Sequence, residues 1–419
     1  MASLDPNRPA YTANPYPVLD RLRRESPILR MRKPEGWVIT GYDLCEEVLR
    51  DASRFSSNPS DARNDLGAEV RAHRASSPLG DRPPLGASDP PDHPRMRSVV
   101  ARGFTPRNLE ARAPGIRARI VELIEQAVPG QPFEVTLGLS RPLPQRVVGD
   151  LLGIPEHDRP RVYELAHLLS RAHSMPGSIP PGDAARIPEA VADLSSYVAD
   201  WAPPPGDGLP TLIQILKDGA DGGGPLSDEE LLPLIVFAIT AGVGPTSGMI
   251  SNLVLAFAQH PDQWQAIKRD PALIPAAVDE SLRFDSATHV LLRYARADTM
   301  VGSRSVEAGE TLFLMVAAAH HDPAKFERPH EFDVQRPLHG RDILSFGLGP
   351  HFCLGAPLVR TMAAMILEEL TSRFESIELP KGGLERRPDF LLRAPVSLHV
   401  RFAARSARLY VPAGRPRVG

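Results

Sequence analysis

Cysteine is scarce in this sequence, where only Cys45 and Cys353 occur among 419 residues. Two cysteines are too few for the disulfide framework of a secreted scaffold, and we expect a reducing compartment. An excess of charge of one sign is missing as well, because 48 basic side chains stand against 51 acidic ones. This balance argues against a strongly basic surface, so we expect no nucleic-acid partner.

The sequence also lacks a hydrophobic run that is long enough to cross a membrane. The longest apolar stretch, residues 231–244 (LLPLIVFAITAGVG), is shorter than the roughly 20 residues that a bilayer requires. The first residues, MASLDPNRPAYTANPYP, do not have the positive-then-apolar order of a signal peptide. We expect a buried helix at residues 231–244 and a cytoplasmic, monomeric protein that binds no membrane.

Proline is abundant, with 45 residues, and it clusters at residues 79–94, 173–188 and 202–210. These stretches separate helical segments of similar composition, so we interpret them as loops within a single domain spanning residues 1–419. Apolar periodicity predicts helices at Pro17–Glu25, Asp43–Arg50, Pro106–Ala127, Asp158–Ala172, Ser227–Gln259, Pro271–Phe284 and Gly355–Phe374. Short β-like runs lie at Ile28–Thr40, Leu291–Tyr294, Thr311–Val316 and Val396–Phe402. The sequence therefore predicts a mostly α protein with small β-sheets (α+β), the sheets coming from residues 28–40, 291–316 and 396–402.

Cys353 lies in a segment of unusual composition, residues 346–355, which reads FGLGPHFCLG. Glycine tolerates positive φ and carries no side chain, so Gly347 and Gly349 allow the backbone to turn tightly beside a flat ligand. A predicted helix follows the cysteine, and its first N–H groups are expected to lower the pKa of the thiol. A thiolate in this position is a good iron ligand. Cys45, within the amphipathic run DLCEEVL, is interpreted as a small buried hydrophobic residue.

Residues 346–355 match the pattern F-G-x-G-x-H-x-C-x-G at every fixed position, and through it the chain resembles the cytochrome P450 family in its bacterial soluble form. The resemblance extends from about residue 16 to residue 402. It implies the cytochrome P450 fold, a thiolate-ligated haem b with Cys353 as the iron ligand, and a monooxygenase activity. The residues implied in haem binding are His93, Arg97, Arg293, Phe346, Gly347, His351, Cys353 and Gly355.

Two further segments resemble motifs of the family. Residues 89–97, DPPDHPRMR, are similar to D-P-P-x-H-x-x-x-R, and the resemblance implies that His93 and Arg97 donate hydrogen bonds to the haem propionates, together with Arg293 and His351. Residues 280–283, ESLR, are similar to E-x-x-R, whose spacing places both charged side chains on one face of a helix. The resemblance adds a third member, and we assign all three to the integrity of the fold and the haem pocket: Glu280, Arg283 and Arg336.

The long predicted helix departs from the family pattern. The oxygen-activating segment A-G-x-(D/E)-T is represented here by Ala241, Gly242, Val243, Gly244, Pro245 and Thr246. Gly244 stands at the acid position and Pro245 at the alcohol position, so both groups that organise water and supply protons in the family are missing. Proline inside a helix costs about 3 kcal/mol and frees the carbonyl four residues back, which is that of Ala241. We expect a kink at this point.

Several accounts of this departure compete. Thr246 supplies the hydroxyl, although a shift of one residue turns it about 100° around the helix. Alternatively, the substrate and water relay protons to an ordinary hydroxylation. In a third account the enzyme uses hydrogen peroxide directly, or performs oxidative coupling or cyclisation. An interpretation from another class is a non-catalytic haem protein that binds a ligand or gas. A monooxygenase is the preferred interpretation.

The resemblance also predicts a substrate cavity, covered by loops at about 58–88 and 173–188. The residues expected to line it are Phe237, Ala241, Val243, Thr288, His289, Val290 and Leu291. They are mainly apolar, so we expect a hydrophobic or amphipathic small organic molecule of the kind found in secondary or xenobiotic metabolism. Two interpretations of His289 are equally weighted, a polar contact to the substrate and a solvent-facing side chain.

No flavin or nicotinamide motif occurs in the sequence. By family analogy, electrons come from a ferredoxin and its ferredoxin reductase, unless peroxide is the oxidant. The basic residues Arg95, Arg102 and Arg107 are candidates for the docking of such a partner. A solvated surface is at least as good an interpretation of these three side chains.

Overall fold

The fold was analysed in a computed structural model that describes residues 4–5, 7–32, 35–75, 82–174, 181–203, 208–219 and 226–405. Its α-helices are α1 (Pro9–Ala13), α2 (Tyr16–Glu25), α3 (Tyr42–Arg50), α4 (Asp65–Ala75), α5 (Asp92–Ala101), α6 (Pro106–Ile124), α7 (Pro142–Leu152), α8 (Arg159–Ser174), α9 (Pro181–Ala184), α10 (Ile187–Asp200), α11 (Leu212–Asp218), α12 (Asp228–Gln259), α13 (Pro261–Arg269), α14 (Ile274–Phe284), α15 (Val316–Ala319) and α16 (Ala356–Arg373). The strands are β1 (Ile28–Arg32), β2 (Glu35–Ile39), β3 (Phe55–Ser56), β4 (Pro132–Glu134), β5 (Leu291–Ala295), β6 (Thr299–Val301), β7 (Arg304–Val306), β8 (Thr311–Leu314), β9 (Phe374–Glu378), β10 (Leu384–Arg386) and β11 (Pro395–Ala404). The predicted α+β class is confirmed.

Helix α12 is the centre of the helical part of the fold. It begins after Ser227, whose backbone N–H donates to the Glu230 carboxylate at 3.1 Å, an arrangement that satisfies an otherwise free donor at the helix start. The helix is apolar over most of its circumference and packs against α7, α8, α14 and α16. The apolar run at 231–244 therefore belongs to a helix of 32 residues. Its Glu229–Gln259 part is long and apolar enough for a membrane span, but 56% of its most apolar window is buried inside the protein, as in a core helix.

The sheets lie to one side of the helices. In the largest sheet the strand order is β1-β2-β8-β5-β3, with β2 and β8 parallel and the other neighbours antiparallel. A second sheet joins β10, β11 and β4, with β9 also paired to β11, and β6 pairs with β7. The register of β5 on β8 places Leu291 opposite Leu314 and Arg293 opposite Leu312. Strand β5 thereby carries Leu291 and Arg293 to the wall of the main cavity.

The predicted elements agree with the structure within a few residues, with some corrections. The predicted strand Ile28–Thr40 is two strands, β1 and β2, paired as a hairpin. The predicted helix Pro271–Phe284 opens with a 3-10 turn, Pro271–Leu273, before α14. The predicted loop at 58–88 contains helix α4, and the predicted loop at 173–188 runs into α9 and α10, while its residues 175–180 lie outside the described part of the chain.

Candidate haem-thiolate site

The loop before α16 is shaped by two glycines. Gly347 and Gly349 both have φ of +67°, in the left-handed region that glycine enters without strain. A Cβ on Gly349 would lie 2.9 Å from the carbonyl oxygen of Leu49, so a side chain is also excluded by space. The backbone N–H of Cys353 donates to the carbonyl of Phe346 at 2.8 Å and closes the loop. Cys353 is thereby held three residues before the first residue of α16.

The electrostatic surroundings of Cys353 correct one expectation. Burial raises the pKa of its thiol, and the backbone N–H groups of Gly355 and Ala356 and the charges of Arg97 and Arg360 only oppose this effect. The expectation of a net lowered pKa was wrong, because removing a thiolate from water costs more than the helix start and the guanidinium groups return. A metal ion that replaces the proton would stabilise a thiolate at this position, as is usual for cysteine ligands.

Cys353 lines a cavity of about 330 Å³. All the residues that the sequence implied in haem binding line this cavity, as do others from α5, α7, α11 and α16. The cavity is also lined by mainly apolar residues that the sequence did not predict to lie there: Leu85, Gly86, Val100, Phe104, Val147, Val148, Leu151, Leu152, Leu212, Leu216, Leu234, Ala238, Ser345, Phe352, Leu354, Leu358, Val359 and Met362. Helical periodicity marks most of these as inward-facing, but it does not distinguish a cavity wall from a packed core.

Basic and imidazole side chains gather on one side of the cavity. The Arg97 guanidinium donates to the carbonyl of Phe352 at 2.6 Å, and the rings of His93 and His351 lie 4.0 Å apart. Arg293 is 7% exposed, and burial lowers its pKa to about 10. The Nε2 atom of His351 is buried without a hydrogen-bond partner in the described part of the chain. This unpaired nitrogen, the partly exposed Arg97 and the buried Arg293 together fit the carboxylates of a haem.

The oxygen-activating segment lines the cavity in part. Ala241, Gly242 and Thr246 line the cavity, whereas Gly244 and Pro245 are not part of its lining. Helix α12 continues through Pro245 without interruption, although proline leaves the Ala241 carbonyl without its helical donor. A Cβ on Gly244 would meet no atom within 4 Å. Thr246 is 5% exposed, and its hydroxyl makes no side-chain hydrogen bond within the described residues.

The residues predicted to contact substrate are only partly in the cavity. Phe237, Ala241, Thr288 and Leu291 line it, and the predicted covering loop at 58–88 contributes Leu85 and Gly86. Three predicted positions are corrected, because their side chains face elsewhere: Val243, His289 and Val290. Val243 packs in the helical core, and Val290 joins the core cluster that includes Tyr11. The His289 ring is 1% exposed and lies 6.0 Å from that of Tyr11, so it faces neither this cavity nor solvent.

A buried ionic network lies behind the site. Glu280 accepts hydrogen bonds from Arg283 at 2.7 and 2.8 Å, from Arg336 at 3.2 Å, and from the backbone N–H of Asp333 at 2.9 Å. The remaining Arg283 donors reach the carbonyls of His320, Pro329 and Glu331. The structure thus brings together the three residues that the sequence assigned to structural integrity.

The three candidate docking arginines have different surroundings. Arg95 forms ion pairs with Glu230 and with Asp92, so its charge is partly neutralised. The Arg102 guanidinium donates to the carbonyl of Gly219, and Arg107 is exposed.

A partly exposed cysteine that lines an apolar cavity together with arginines and histidines, within this helix-rich fold, defines the site of a haem-thiolate protein. The sequence profile described as Cytochrome P450 matches residues 202–402. The chain is 33% identical over 407 residues to "Cytochrome P450 monooxygenase PikC" of Streptomyces venezuelae, covering 94% of this chain and 92% of the relative.

Solved structures agree with this assignment. The cytochrome P450 PksS of the bacillaene polyketide synthase of Bacillus subtilis 168 has a TM-score of 0.81 and 28% identity, over 96% of this chain and 100% of that one. P450BioI, in complex with an acyl carrier protein ligated to hexadec-9Z-enoic acid, has a TM-score of 0.80 and 29% identity, over 94% of this chain and 99% of that one. The chain belongs to the cytochrome P450 family, and it is an oxidoreductase of the P450 monooxygenase type.

Proposed function

We propose that this protein is a monooxygenase that holds haem b through the thiolate of Cys353 and oxidises a hydrophobic or amphipathic small organic molecule. The observation that carries the proposal is the position of the Cys353 sulfur in one cavity with Arg97, Arg293, His93 and His351. This arrangement supplies an iron ligand, donors for two carboxylates, and an apolar space beside them. When bound, haem supplies the centre that activates oxygen for transfer to the substrate.

The protein's own residues then have separate roles. Cys353 serves as the iron ligand, and the N–H groups of Gly355 and Ala356 stabilise its negative charge. Arg97 and Arg293 orient the haem through its propionates. Apolar side chains of the lining exclude water and hold the substrate by burial of its hydrocarbon surface.

Thr246 is the side chain that we assign to proton supply. Among the described residues that line the cavity, none is an aspartate or a glutamate, and the hydroxyl-bearing ones are Thr246, Thr288 and Ser345. The Ser345 hydroxyl is engaged by Ser286 at 2.7 Å and by the Leu282 carbonyl. Thr246 lies on α12, next to the position where the family has its alcohol, and its hydroxyl is available to hold a water molecule. A relay through this hydroxyl and water replaces the missing acid–alcohol pair.

The substrate class is inferred from the cavity and from the relatives. The cavity wall is formed by leucine, valine, phenylalanine and methionine side chains, with few polar groups apart from those assigned to haem. Among the relatives, PksS is the cytochrome P450 of a polyketide synthase, and P450BioI binds an acyl carrier protein ligated to hexadec-9Z-enoic acid. Both names fit extended aliphatic substrates. We therefore propose a substrate from secondary metabolism with a long apolar surface.

The remaining features of the proposal follow the family. The chain forms a single domain over residues 1–419 and acts as a soluble, cytoplasmic monomer. A ferredoxin and its reductase donate electrons. Arg102 and Arg107 are the better candidates for the docking surface, because the charge of Arg95 is partly neutralised by Glu230.

Reduction of the purified protein under carbon monoxide tests the haem-thiolate proposal. The wild type should give the red-shifted Soret band of a thiolate ligand, and Cys353→Ala should lose it. Cys45→Ala is the matched control, because Cys45 is fully buried in another core cluster and should leave the band unchanged. Retention of the red shift in Cys353→Ala would exclude this residue as the ligand.

The absence of a carboxylate among the described lining residues favours a second candidate, a peroxide-driven or oxidative-coupling enzyme. Product formation should be compared with peroxide alone and with a ferredoxin system. If Thr246 supplies protons, Thr246→Val should lower the ferredoxin-supported rate by about 100-fold, the usual size of a general acid–base contribution. Thr288→Val, in the same cavity, is the matched control and should change this rate much less. Tightly coupled turnover only with ferredoxin would exclude the peroxide-driven candidate, and an unchanged rate in Thr246→Val would exclude the threonine relay.

A further inference from the structure

A second, much smaller cavity lies between the N-terminal helix α1 and residues 386–394. Its volume is about 10 Å³, which is room for one water-sized group. It is separate from the haem cavity, and the two have no lining residue in common among those described. The residues that line it are Tyr11, Thr12, His289, Arg386, Arg387, Asp389, Leu392, Arg393 and Ala394.

Several polar atoms of this lining are buried and have no hydrogen-bond partner within the described part of the chain. They are the Tyr11 hydroxyl, both ring nitrogens of His289, and Nε of Arg386. His289 is 1% exposed, and Tyr11 is 5% exposed. Buried polar groups in native proteins are nearly always paired, so their convergence on one cavity points to a bound group that pairs them.

The chemistry of these atoms specifies an acceptor. Burial raises the pKa of the Tyr11 hydroxyl, which therefore stays protonated and can donate. Burial also lowers the pKa of His289 to about 3, so the ring is neutral and offers one N–H. The Nε–H of Arg386 can only donate. Three donors thus face the cavity, against the single lone pair of the His289 ring.

The charge around the cavity is positive in its buried part. Arg386 and Arg393 share one carboxylate, that of Asp285, at 2.6 and 2.9 Å, and the Tyr16 hydroxyl also donates to it at 2.9 Å. The side chains of Arg386, Arg393 and Asp285 are at most 14% exposed. The other charged lining residues, Arg387 and Asp389, are exposed and of opposite sign. One positive charge therefore remains without a partner in a poorly solvated place, which is unfavourable unless an anion neutralises it.

We propose that this cavity binds one small monovalent anion of the size of chloride, held by the Tyr11 hydroxyl, His289 and Arg386. A cation is excluded by the surrounding charge, and a water molecule would pair the donors without neutralising the charge. The site connects α1 to the haem cavity wall, because the backbone N–H of His289 donates to the Leu391 carbonyl at 2.8 Å and Leu392 forms a β-bridge with Thr288. Occupancy of the site should therefore stabilise the fold in this region.

Thermal unfolding of the haem-loaded protein in sodium chloride and in sodium gluconate of equal ionic strength tests this proposal. Chloride should raise the Tm with the logarithm of its concentration above Kd, by about 2 °C at ten times its Kd. Tyr11→Phe removes one donor and should weaken the apparent chloride affinity by about tenfold. Tyr42→Phe alters a buried tyrosine of another core cluster and should leave the affinity unchanged. Equal Tm values in the two salts, or an unchanged affinity in Tyr11→Phe, would overturn the proposal.

Crystals of the wild type soaked in sodium bromide provide a second measurement that does not depend on a variant. An anomalous peak within hydrogen-bond distance of the Tyr11 hydroxyl and Arg386 Nε would support the site. Density at this place without an anomalous signal would identify a water molecule only, and would overturn the anion proposal.

Discussion

Replacing Glu280 by glutamine would remove the one negative charge of the buried network behind the haem site while keeping the shape of the side chain. Glu280 and Arg283 are 1% and 0% exposed, and Arg336 is 6% exposed, so water does not screen the change. Two guanidinium groups would then share no carboxylate, and the amide NH₂ of the new glutamine would face their donors. Breaking a buried pair by removal of one partner costs about 3–5 kcal/mol, and we expect a loss of stability in this range.

Urea unfolding of the haem-loaded protein, followed by circular dichroism, measures this loss as a shift of the midpoint. Asp279→Asn is the matched control, because Asp279 is the neighbouring residue on α14 and pairs with Arg360 at 2.7 Å while both side chains are partly exposed. This pair, whose side chains are 26% and 17% exposed, should contribute about 1 kcal/mol. If Glu280→Gln costs no more than the control, the network does not carry the stability that we assign to it.

Two further predictions concern single residues outside the haem cavity. Gly153→Ala should lower the free energy of unfolding by about 1–3 kcal/mol more than Gly130→Ala does. Both glycines have positive φ, but only at Gly153 would the new Cβ lie 2.6 Å from Thr211. Equal losses of stability in urea would contradict this steric argument. Burial, and to a lesser extent a nearby guanidinium group, lower the pKa of His320 to about 3. Below pH 6.5 the unfolded chain therefore binds a proton at this histidine that the folded protein does not bind. The stability that depends on this neutral histidine is fully present above pH 6.5 and should fall by up to about 1.4 kcal/mol per pH unit between pH 6.5 and 3. His320→Gln should reduce this loss when the free energy of unfolding is compared at pH 7.5 and 5.5.

The elements predicted from the sequence are those whose apolar pattern decides their structure. Helices α2, α3, α6, α12 and α16 begin and end within three residues of the predicted bounds, because each has a clear buried face or is buried throughout. Helix α7 was not predicted, since Pro142 and Pro144 resemble a loop although proline is well tolerated in the first turn of a helix. The Pro-rich stretch at 173–188 obscured the start of α10 for the same reason, because Pro188 lies in its first turn.

The candidate site was predicted in its identity but only partly in its geometry. Fixed spacings located the candidate haem-binding residues, which line one cavity, because a motif records which side chains converge on one ligand. Spacing did not reveal the net pKa of the Cys353 thiol, which depends on how deeply the whole fold buries the sulfur. Spacing also did not show that Thr288 lines the cavity and His289 does not, since the direction of each side chain depends on the bridge between Thr288 and Leu392. These features arise from tertiary packing, which the local pattern does not contain.

The segment of α12 that departs from the family pattern, at Gly244 and Pro245, is not forced by the packing around it. Gly244 has nothing within 4 Å of the position of a Cβ, so the acid of the family could be accommodated here and its absence is not forced by packing. Pro245 costs a helical hydrogen bond in an otherwise uninterrupted helix, and a helix tolerates such a loss only where other packing compensates for it. Two independent departures at adjacent positions, neither demanded by the fold, are expected if proton supply has moved elsewhere. The Thr246 hydroxyl, which lines the same cavity as the Cys353 sulfur, is the group on α12 that can take over this role.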